Sequence, residues 1–456
     1  MDLHTYLQNL KGKRVGIIGI GVSNRPLIDM LLAAGIDVTA CDKRTREQFG
    51  SLAEELEAKG CKLILGEDYL EQLDMDVIFR TPGLHPRYLE KAKAKGSMIT
   101  SEMEAFFDVC PCPIIAITGS DGKTTTTTVV SQLLKAAGKC VYVGGNIGNP
   151  LLAQAGDMKA GDVVVLELSS FQLMTMTKSP SVAVVTNLAP NHLDIHTDMA
   201  EYIDAKKNIF LHQRAADKVI LNLDNEITNS LVGEAVGKVV GFTRKSVPAT
   251  GTFIRDNAIW MKNEEGEREV LKCGDIRIPG IHNVENYMAA IAAVDGLVDD
   301  EVIRTFARTF GGVEHRIEFI RELRGVKWYN DSIASSPSRT AACLHSFAEK
   351  IILLAGGKDK GVSYDELGVL INDHVKYLIL CGATAKVIRE GVEKAANYAG
   401  LPVVTCDSWE EVVMKADAVA EDGDIVVMSN ASTSFDMFPN FAQRGKVFKE
   451  LVNALK

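Results

Sequence analysis

The feature that most constrains the fold is a glycine-rich loop between an apolar strand and a helix. The run Ile114–Thr118 is apolar and β-branched, Thr118–Thr125 follows as Thr-Gly-Ser-Asp-Gly-Lys-Thr-Thr, and helical periodicity covers 126–137. In that order the backbone N–H groups of the loop point into one cavity at a helix N-terminus, which favours phosphate. The pattern GxxxxGK[ST] is incomplete, because Ile117 stands where its first glycine would be. The segment nevertheless predicts a nucleotide phosphate site.

Two other stretches combine an apolar β-branched run with a helical pattern. One begins at Arg14–Ser23 and the other at Val326–Asn330. Since a domain takes roughly 150 residues, three such units in 456 residues predict an α/β protein of three domains. The prolines of Cys110–Pro113 and the pair Gly311-Gly312 suggest the joints. The expected domains are a Rossmann-like N-terminal domain over 1–105, a central P-loop ATPase-type domain over 106–312 and a Rossmann-like C-terminal domain over 313–456.

Composition excludes several classes of protein. The formal charge of −10 argues against general affinity for nucleic acid or anionic membranes. No run approaches the roughly 18 apolar residues of a membrane span, and the first residues lack the basic and apolar regions of a signal peptide. The nine cysteines are odd in number and contain no CxxC pair, so reduced thiols are expected. We therefore expect a cytoplasmic protein without membrane insertion or nucleic-acid partner.

Acidic and imidazole side chains after the phosphate loop suggest a metal site. Lys123 is placed for β- and γ-phosphates, and the Thr124 hydroxyl for Mg²⁺. Glu167 ends an otherwise apolar strand, where a buried unpaired carboxylate is costly, so a metal ligand is the favoured role. The spacing of His192 and His196 also suggests zinc, but no glutamate or cysteine completes a zinc pattern. A contact to a second Mg²⁺ is preferred for His192, with Asp194 and His196 as plain loop residues.

Seven ordered motifs along the chain resemble the signatures of the Mur ligases, the ATP-dependent amide ligases of peptidoglycan precursor synthesis. They are Thr118–Thr125, Gly144–Gly148, Glu167–Gln172, Asn191–Asp194, Asn283–Asn286, Glu314–Arg316 and Asn330–Ser332. Within the family, three features favour the D-glutamate-adding member: Gly19–Gly21 with Asp42–Arg44, Asp331–Pro337, and Ser434–Phe441.

The resemblance implies a two-step reaction. The carboxylate of UDP-N-acetylmuramoyl-L-alanine attacks the γ-phosphate of ATP, giving an acyl phosphate and ADP, and the D-glutamate amine then displaces phosphate. Both steps concentrate negative charge, so positioning and electrostatic stabilisation are the main tasks of the protein. The implied cofactor is Mg²⁺, as two ions, with ATP as co-substrate. The implied partners are the three small-molecule substrates: UDP-N-acetylmuramoyl-L-alanine, D-glutamate and ATP.

The resemblance also implies roles for individual residues. The catalytic set would be Lys123, Lys206, His192 and Asn146. Mg²⁺ would be held by Thr124, Glu167, His192 and, if it is carbamylated, Lys206. ATP would contact Gly119, Ser120, Asp121, Gly122, Lys123, Thr124, Thr125, Asn283, Asn286, Arg316 and Asp331. The UDP part of the acceptor would contact Gly21, Val22, Ser23, Asp42, Arg44, Thr81 and Gly83. D-Glutamate would contact Lys360, Ser335, Ser434, Phe435 and Phe441.

Several alternatives stay open at the level of sequence. Lys207 competes with Lys206, and Lys358 competes with Lys360 for a glutamate carboxylate. Ile333 stands where many relatives have a lysine, so one carboxylate contact is in doubt. The turn Gly19–Asn24 lacks the third glycine of a dinucleotide site, yet with an acidic ribose ligand it would suit an NAD-linked dehydrogenase. Folylpolyglutamate synthetase, a diaminopimelate- or lysine-adding Mur ligase and a P-loop switch are further alternatives.

Overall fold

The computed structural model describes residues 1–190, 195–359 and 361–456, which form three sheets. The first sheet has five parallel strands in the order β3-β2-β1-β4-β5. Its strands are β1 (Arg14–Ile18), β2 (Asp37–Asp42), β3 (Lys62–Leu65), β4 (Val77–Phe79) and β5 (Met98–Thr100). Its helices are α1 (Leu3–Leu10), α2 (Arg25–Ala33), α3 (Arg46–Phe49), α4 (Ser51–Ala58), α5 (Glu90–Ala94) and α6 (Glu102–Val109).

The second sheet has nine strands in the order β14-β13-β12-β11-β10-β9-β6-β8-β7. They are β6 (Ile114–Thr118), β7 (Val141–Gly145), β8 (Val163–Glu167), β9 (Val182–Val185), β10 (Lys218–Asn222), β11 (Lys238–Thr243), β12 (Gly251–Arg255), β13 (Ala258–Asn263) and β14 (Gly266–Lys272). The last three pair as antiparallel neighbours, whereas β6 to β11 are parallel. The helices are α7 (Lys123–Ala136), α8 (Ser170–Leu173), α9 (Met199–Lys207), α10 (Glu226–Ser230), α11 (Ile281–Val294) and α12 (Asp300–Thr309).

The third sheet has six strands in the order β15-β16-β20-β17-β18-β19, with β15 antiparallel at one edge. The strands are β15 (Glu318–Leu323), β16 (Val326–Asp331), β17 (Ile351–Ala355), β18 (Val375–Cys381), β19 (Val403–Cys406) and β20 (Ile425–Ser429). The helices are α13 (Pro337–Leu344), α14 (Asp365–His374), α15 (Ala385–Lys394), α16 (Trp409–Val419) and α17 (Phe441–Ala454). Buried side chains alternate between its faces: Leu353 packs in one core, and Ile352 and Leu354 pack in the other.

The contacts divide the chain into two compact units. The first contains residues 1–273 and 285–304, and the second contains 274–284 and 305–456. In the first unit one hydrophobic core continues from Phe79 of the first sheet through Phe106 of α6 to Leu166 of the second sheet. The two N-terminal sheets are therefore packed as one body. The α/β class predicted from the sequence is confirmed, whereas the predicted boundaries at 105 and 312 stay predictions.

A buried arginine helps to hold the two sheets of the first unit together. Arg80, just after β4, donates from Nη1 to the Leu84 carbonyl at 2.8 Å. Its Nη2 donates to the Phe171 carbonyl at 2.9 Å and to Thr175 Oγ1 at 3.2 Å. Since buried polar groups cost free energy unless they are paired, these hydrogen bonds fix the Thr81 loop against α8.

Among the described residues, no helix is both long and apolar enough to cross a bilayer.

Candidate active site

The phosphate loop lies between β6 and α7, as the sequence predicts. Gly122 precedes the helix in the left-handed conformation, at φ +78°. The loop is anchored because Ser120 N donates to the Asn187 carbonyl at 2.8 Å. Lys123 Nζ donates to the carbonyls of Gly119 and Ser120, at 3.0 and 2.8 Å. The ammonium thus lies over the loop, and Thr124 and Thr125 follow it in the first turn of α7.

Gly119 is a position that only glycine fits. Its φ is +147°, and an added Cβ would lie 1.9 Å from Thr186 Oγ1 and 3.1 Å from the Asn187 carbonyl oxygen. We expect Gly119→Ala to weaken nucleotide binding at least about tenfold and to lower the melting temperature by several degrees. Gly138→Ala is the matched control, since Gly138 also has a positive φ, +79°, but nothing lies within 4 Å of the added Cβ. Equal nucleotide affinity in both variants, by titration calorimetry, would contradict the prediction.

Glu167 provides a buried carboxylate beside the loop. It ends β8, which pairs with β6 and β7, and is only 1% exposed. Its Oε1 accepts a hydrogen bond from Asn146 Nδ2 at 2.7 Å, and Oε2 is buried without a hydrogen-bond partner among the described residues. An unsatisfied buried carboxylate oxygen is costly. The site therefore fits a cation such as Mg²⁺, whose preferred ligands are oxygens.

Lys206 lies on the other side of the loop and is 2% exposed. Its Nζ donates to Thr118 Oγ1 at 3.0 Å and to the Gly119 carbonyl at 2.9 Å. Burial, followed by the neighbouring charge of Lys123, holds the pKa of Lys206 well below its usual range. Lys207, by contrast, pairs with Asp204 and Glu234, at 3.2 and 2.5 Å. The structure thus places Lys206, and not Lys207, at the phosphate loop.

His196 lies in a loop, as predicted, but nothing in the sequence indicates that its side chain is buried. It is buried, and its Nε2 lies 2.9 Å from Ser170 Oγ. Its ring stacks on Phe171 at 5.2 Å and meets the edge of Tyr202 at 5.3 Å. The Tyr202 hydroxyl in turn lies 2.8 Å from Ser120 Oγ. Through Tyr202 and Ser120, these contacts connect His196 to the phosphate loop. No local sequence pattern predicts them, because the residues belong to separate elements.

Other predicted residues of this region are partly placed. His192 and Asp194 lie outside the described residues. Asn286 is buried against the loop, where Thr126 Oγ1 donates to its Oδ1 at 3.2 Å. Asn283 is also buried, and its Nδ2 donates to the Pro279 carbonyl at 2.5 Å. Both asparagines belong to α11, and only Asn286 falls in the first compact unit.

The residues predicted for UDP surround the carboxyl ends of β1, β2 and β4. Asp42 Oδ2 accepts hydrogen bonds from Ile20 N and Arg44 Nη2, both at 2.8 Å. Burial raises the pKa of Asp42, but the hydrogen bonds from Arg44 and Ile20 outweigh it, so the net shift is downward. Asn24, at the missing third glycine, donates to the Ile18 and Gly19 carbonyls at 3.1 and 2.9 Å. Its amide therefore closes the turn from inside.

The rest of this predicted set lines an open surface. Gly21, Val22 and Ser23 are exposed, and Gly83 is exposed on the neighbouring loop. Thr81 lies close to the turn, since a Cβ at Gly19 would be 3.1 Å from it. These residues are brought together at one edge of the sheet, which is where open α/β folds bind ligands.

In the second unit, Asp331 ends β16 and is buried. Its Oδ2 accepts from Ser429 Oγ at 2.8 Å, and Oδ1 accepts from Ile317 N at 3.3 Å. The neighbouring His315 is buried, and its Nδ1 accepts a hydrogen bond from Asn330 Nδ2 at 2.9 Å. Arg316 is exposed. Burial raises the pKa of Asp331 to about 6, despite the lowering effect of its hydrogen bonds.

Asp331 should make the stability of the second unit depend on pH. Its folded pKa lies above the ordinary value, so as pH rises from about 4 to 6 the unfolded chain loses this proton first and stability falls. We expect Asp331→Asn to remove that fall, so that its unfolding free energy relative to wild type rises by about 2–3 kcal/mol between pH 4 and 7. Chemical denaturation across that range measures it, with exposed Asp407→Asn as control. A pH-independent difference would contradict the assignment.

The residues predicted for D-glutamate occupy loops of the second unit. Ser335 follows β16, and Ser434 is buried after β20, whereas Phe435 and Phe441 are exposed. Lys360 lies outside the described residues. Its rival Lys358 is exposed, and its backbone N–H donates to the Thr433 carbonyl at 2.8 Å.

Comparison with known proteins agrees with this arrangement. Residues 117–294 match the Mur ligase middle domain, and 315–431 match the Mur ligase glutamate ligase domain. The chain is 51% identical over 462 residues to the UDP-N-acetylmuramoylalanine--D-glutamate ligase of Acetivibrio thermocellus, covering 100% of this chain and 99% of that protein. The enzyme of the same name from Ruminiclostridium cellulolyticum is 51% identical over 461 residues, with 100% and 99% covered.

Solved structures show the same fold at low sequence identity. The UDP-N-acetylmuramate-alanine ligase of Thermotoga maritima has a TM-score of 0.56 and 18% identity, with 97% of this chain and 100% of that chain covered. MurF of Acinetobacter baumannii has a TM-score of 0.57 and 16% identity, with 83% and 90% covered. At such identities the likeness concerns the fold alone.

Proposed function

The chain belongs to the Mur ligase family, and from this we propose that it joins D-glutamate to UDP-N-acetylmuramoyl-L-alanine at the expense of ATP. The reaction serves peptidoglycan precursor synthesis in the cytoplasm. The observation that carries the proposal is the meeting of Glu167, Lys123 and Lys206 at the phosphate loop, in a chain half identical along its whole length to D-glutamate ligases. Such a set of charges suits two anions that must react.

We propose that Thr124 and Glu167 hold Mg²⁺, with His192 and a carbamylated Lys206 at a second ion. When bound, Mg²⁺ offsets the negative charge of the phosphates and of the substrate carboxylate. The buried Glu167 Oε2, which lacks a hydrogen-bond partner among the residues described, supports the first assignment. Asn146 keeps the Glu167 side chain in place through its hydrogen bond to Oε1, and the family resemblance puts the same amide near the acyl phosphate.

Lys123 and Lys206 have different tasks in this proposal. Lys123 exchanges its loop carbonyls for the β- and γ-phosphates, where its charge stabilises the phosphoryl group during transfer. Lys206 is buried beside that ammonium, which favours its neutral amine. A neutral amine adds to CO₂ and releases one proton, which leaves an anionic carbamate.

The remaining assignments complete the substrate sites. We propose that Asn283, Asn286, Arg316 and Asp331 contact the nucleoside and phosphates of ATP, and that the edge of the first sheet binds UDP. D-Glutamate binds in the loops of the second unit, with Lys360 or Lys358 at a carboxylate. The domain limits 1–105, 106–312 and 313–456 are retained as part of this proposal.

ADP formation by the purified protein tests the ligase class. With ATP and Mg²⁺ we expect ADP only when UDP-N-acetylmuramoyl-L-alanine and the amino acid are both present, because an acyl phosphate is useful only if the amine can intercept it. Continuous ADP formation when both UDP-N-acetylmuramoyl-L-alanine and the amino acid are left out would indicate a P-loop hydrolase or switch. Reduction of NAD would favour a dehydrogenase.

A further inference from the structure

Arg444, on α17, is a buried charged side chain that forms no salt bridge with any of the described residues. It is 1% exposed, its hydrogen bonds to described residues go to neutral oxygens of Ser332 and Ser432, and the carboxylates of Asp436 and Asp331 act on it without forming a salt bridge. Burial lowers the pKa of its guanidinium to about 10. A buried charge costs free energy, and an apolar side chain would fill the same volume at lower cost. The arginine therefore needs a reason beyond packing.

The guanidinium joins two loops that come from different strands. Nε donates to Ser332 Oγ at 3.0 Å and Nη2 to the Ser332 carbonyl at 2.8 Å, just after β16. Nη1 donates to the Ser432 carbonyl at 3.1 Å, just after β20. Ser332 Oγ in turn donates a hydrogen bond to the Phe441 carbonyl at 2.7 Å. One planar group thus fixes the distance between the two loops.

A third loop rests against the same guanidinium. A Cβ at Gly357 would lie 3.2 Å from Arg444 Nη1 and 2.1 Å from the Thr433 carbonyl oxygen. This loop carries Lys358, which is bonded to Thr433 through both its N–H and its carbonyl. The three loops that Arg444 touches are the ones on which the proposed D-glutamate contacts lie.

We propose that Arg444 is a positioning residue of the amino-acid site, which aligns the Ser332, Gly357 and Ser432 loops and so sets the affinity for the amino-acid substrate. The inference rests on the function proposed above. Arg444 itself does not contact the substrate. Asp331, a proposed ATP contact, accepts its hydrogen bonds from Ser429 and Ile317 and none from Arg444, so the main effect should fall on the amino acid rather than on ATP.

Steady-state kinetics of the full-length protein test the proposal through the three Michaelis constants. Arg444→Met is expected to raise KM for D-glutamate at least about tenfold, with KM for ATP and for UDP-N-acetylmuramoyl-L-alanine changed less than about threefold. Arg444→Lys should retain the charge but not the affinity, since an ammonium cannot meet acceptors on both loops. Added methylguanidine should partly restore KM for D-glutamate in Arg444→Ala.

Arg321 offers a matched control in the same unit. Its Nη1 donates to backbone carbonyls, those of Val452, Asn453 and Leu455 at the far end of α17. Arg321→Met should lower thermal stability and leave KM for D-glutamate unchanged. Should Arg444→Met fail to fold, Ser332→Ala provides the test. It removes only the acceptor of the Arg444 Nε hydrogen bond and the hydrogen bond to the Phe441 carbonyl. A rise of about threefold in KM for D-glutamate is expected.

The outcomes separate this inference from the proposed function. Wild-type turnover with D-glutamate, together with an unchanged KM for D-glutamate in Arg444→Met or in Ser332→Ala, would overturn the inference alone. An equal rise of all three Michaelis constants would also overturn it, since that marks general loss of structure. Wild-type protein without D-glutamate-dependent turnover would overturn both.

Discussion

Lys206→Met is expected to lower kcat at least about a hundredfold while the protein stays folded. The buried Nζ is bonded to Thr118 and Gly119 at the start of the phosphate loop, next to Lys123. Methionine has a similar length but supplies neither an amine nor a carbamate. Initial rates of phosphate release at saturating substrates measure the loss, and thermal unfolding checks the fold.

Lys207→Met is the control, because the adjacent side chain is paired with Asp204 and Glu234 away from the loop. It should keep kcat within about twofold, since these ion pairs do not involve the phosphate loop. Carbonate labelled with ¹³C provides a second test: a carbamate resonance should be present in wild type and absent from Lys206→Met. Equal activity of the two lysine variants would refute the role given to Lys206.

Glu167→Gln is expected to lower kcat/KM by about two to three orders of magnitude and to raise the Mg²⁺ concentration needed for half-maximal rate. Glutamine preserves the shape, and its amide oxygen can still accept the hydrogen bond from Asn146. The second carboxylate oxygen becomes an NH₂ group, which donates hydrogen bonds, and the negative charge is lost. The buried Oε2, which has no hydrogen-bond partner in the part of the chain that the structure describes, would then be lost as a cation ligand.

A Mg²⁺ titration of initial rates at fixed ATP measures both effects. The exposed Glu226→Gln should behave as wild type in the same titration, because Glu226 lies on the surface in the first turn of α10. A Glu167→Gln protein with reduced rate but unchanged Mg²⁺ requirement would assign Glu167 to packing and remove the proposed metal ligand.

Local patterns in the sequence predicted the parts of the site that are local in the chain. The phosphate loop is one, since strand, glycines, lysine and helix follow each other directly. The carboxylate at the end of β8 is another, because a charge in an apolar strand is conspicuous. Both features depend on residues that are close together in the sequence.

The parts that escaped prediction depend on tertiary contacts. The pair Lys206-Lys207 has no internal sign that one member is buried and the other paired on the surface. His196 and Arg444 look like ordinary polar residues until the strands and helices around them are assembled. The Pro-containing segment after α6 predicts a domain joint, which stays a prediction, and the continuous core around Phe106 could not be read from it. Long-range packing decided these cases.

The amino acid accepted in the ligation step tests the central claim most directly. Wild-type protein with ATP, Mg²⁺ and UDP-N-acetylmuramoyl-L-alanine is supplied in parallel with D-glutamate, L-glutamate, lysine or no amino acid, and products are identified by mass spectrometry. We expect phosphate release and a product heavier by one glutamyl residue with D-glutamate alone. Equal product with L-glutamate or lysine, or phosphate release without any amino acid, would contradict the account.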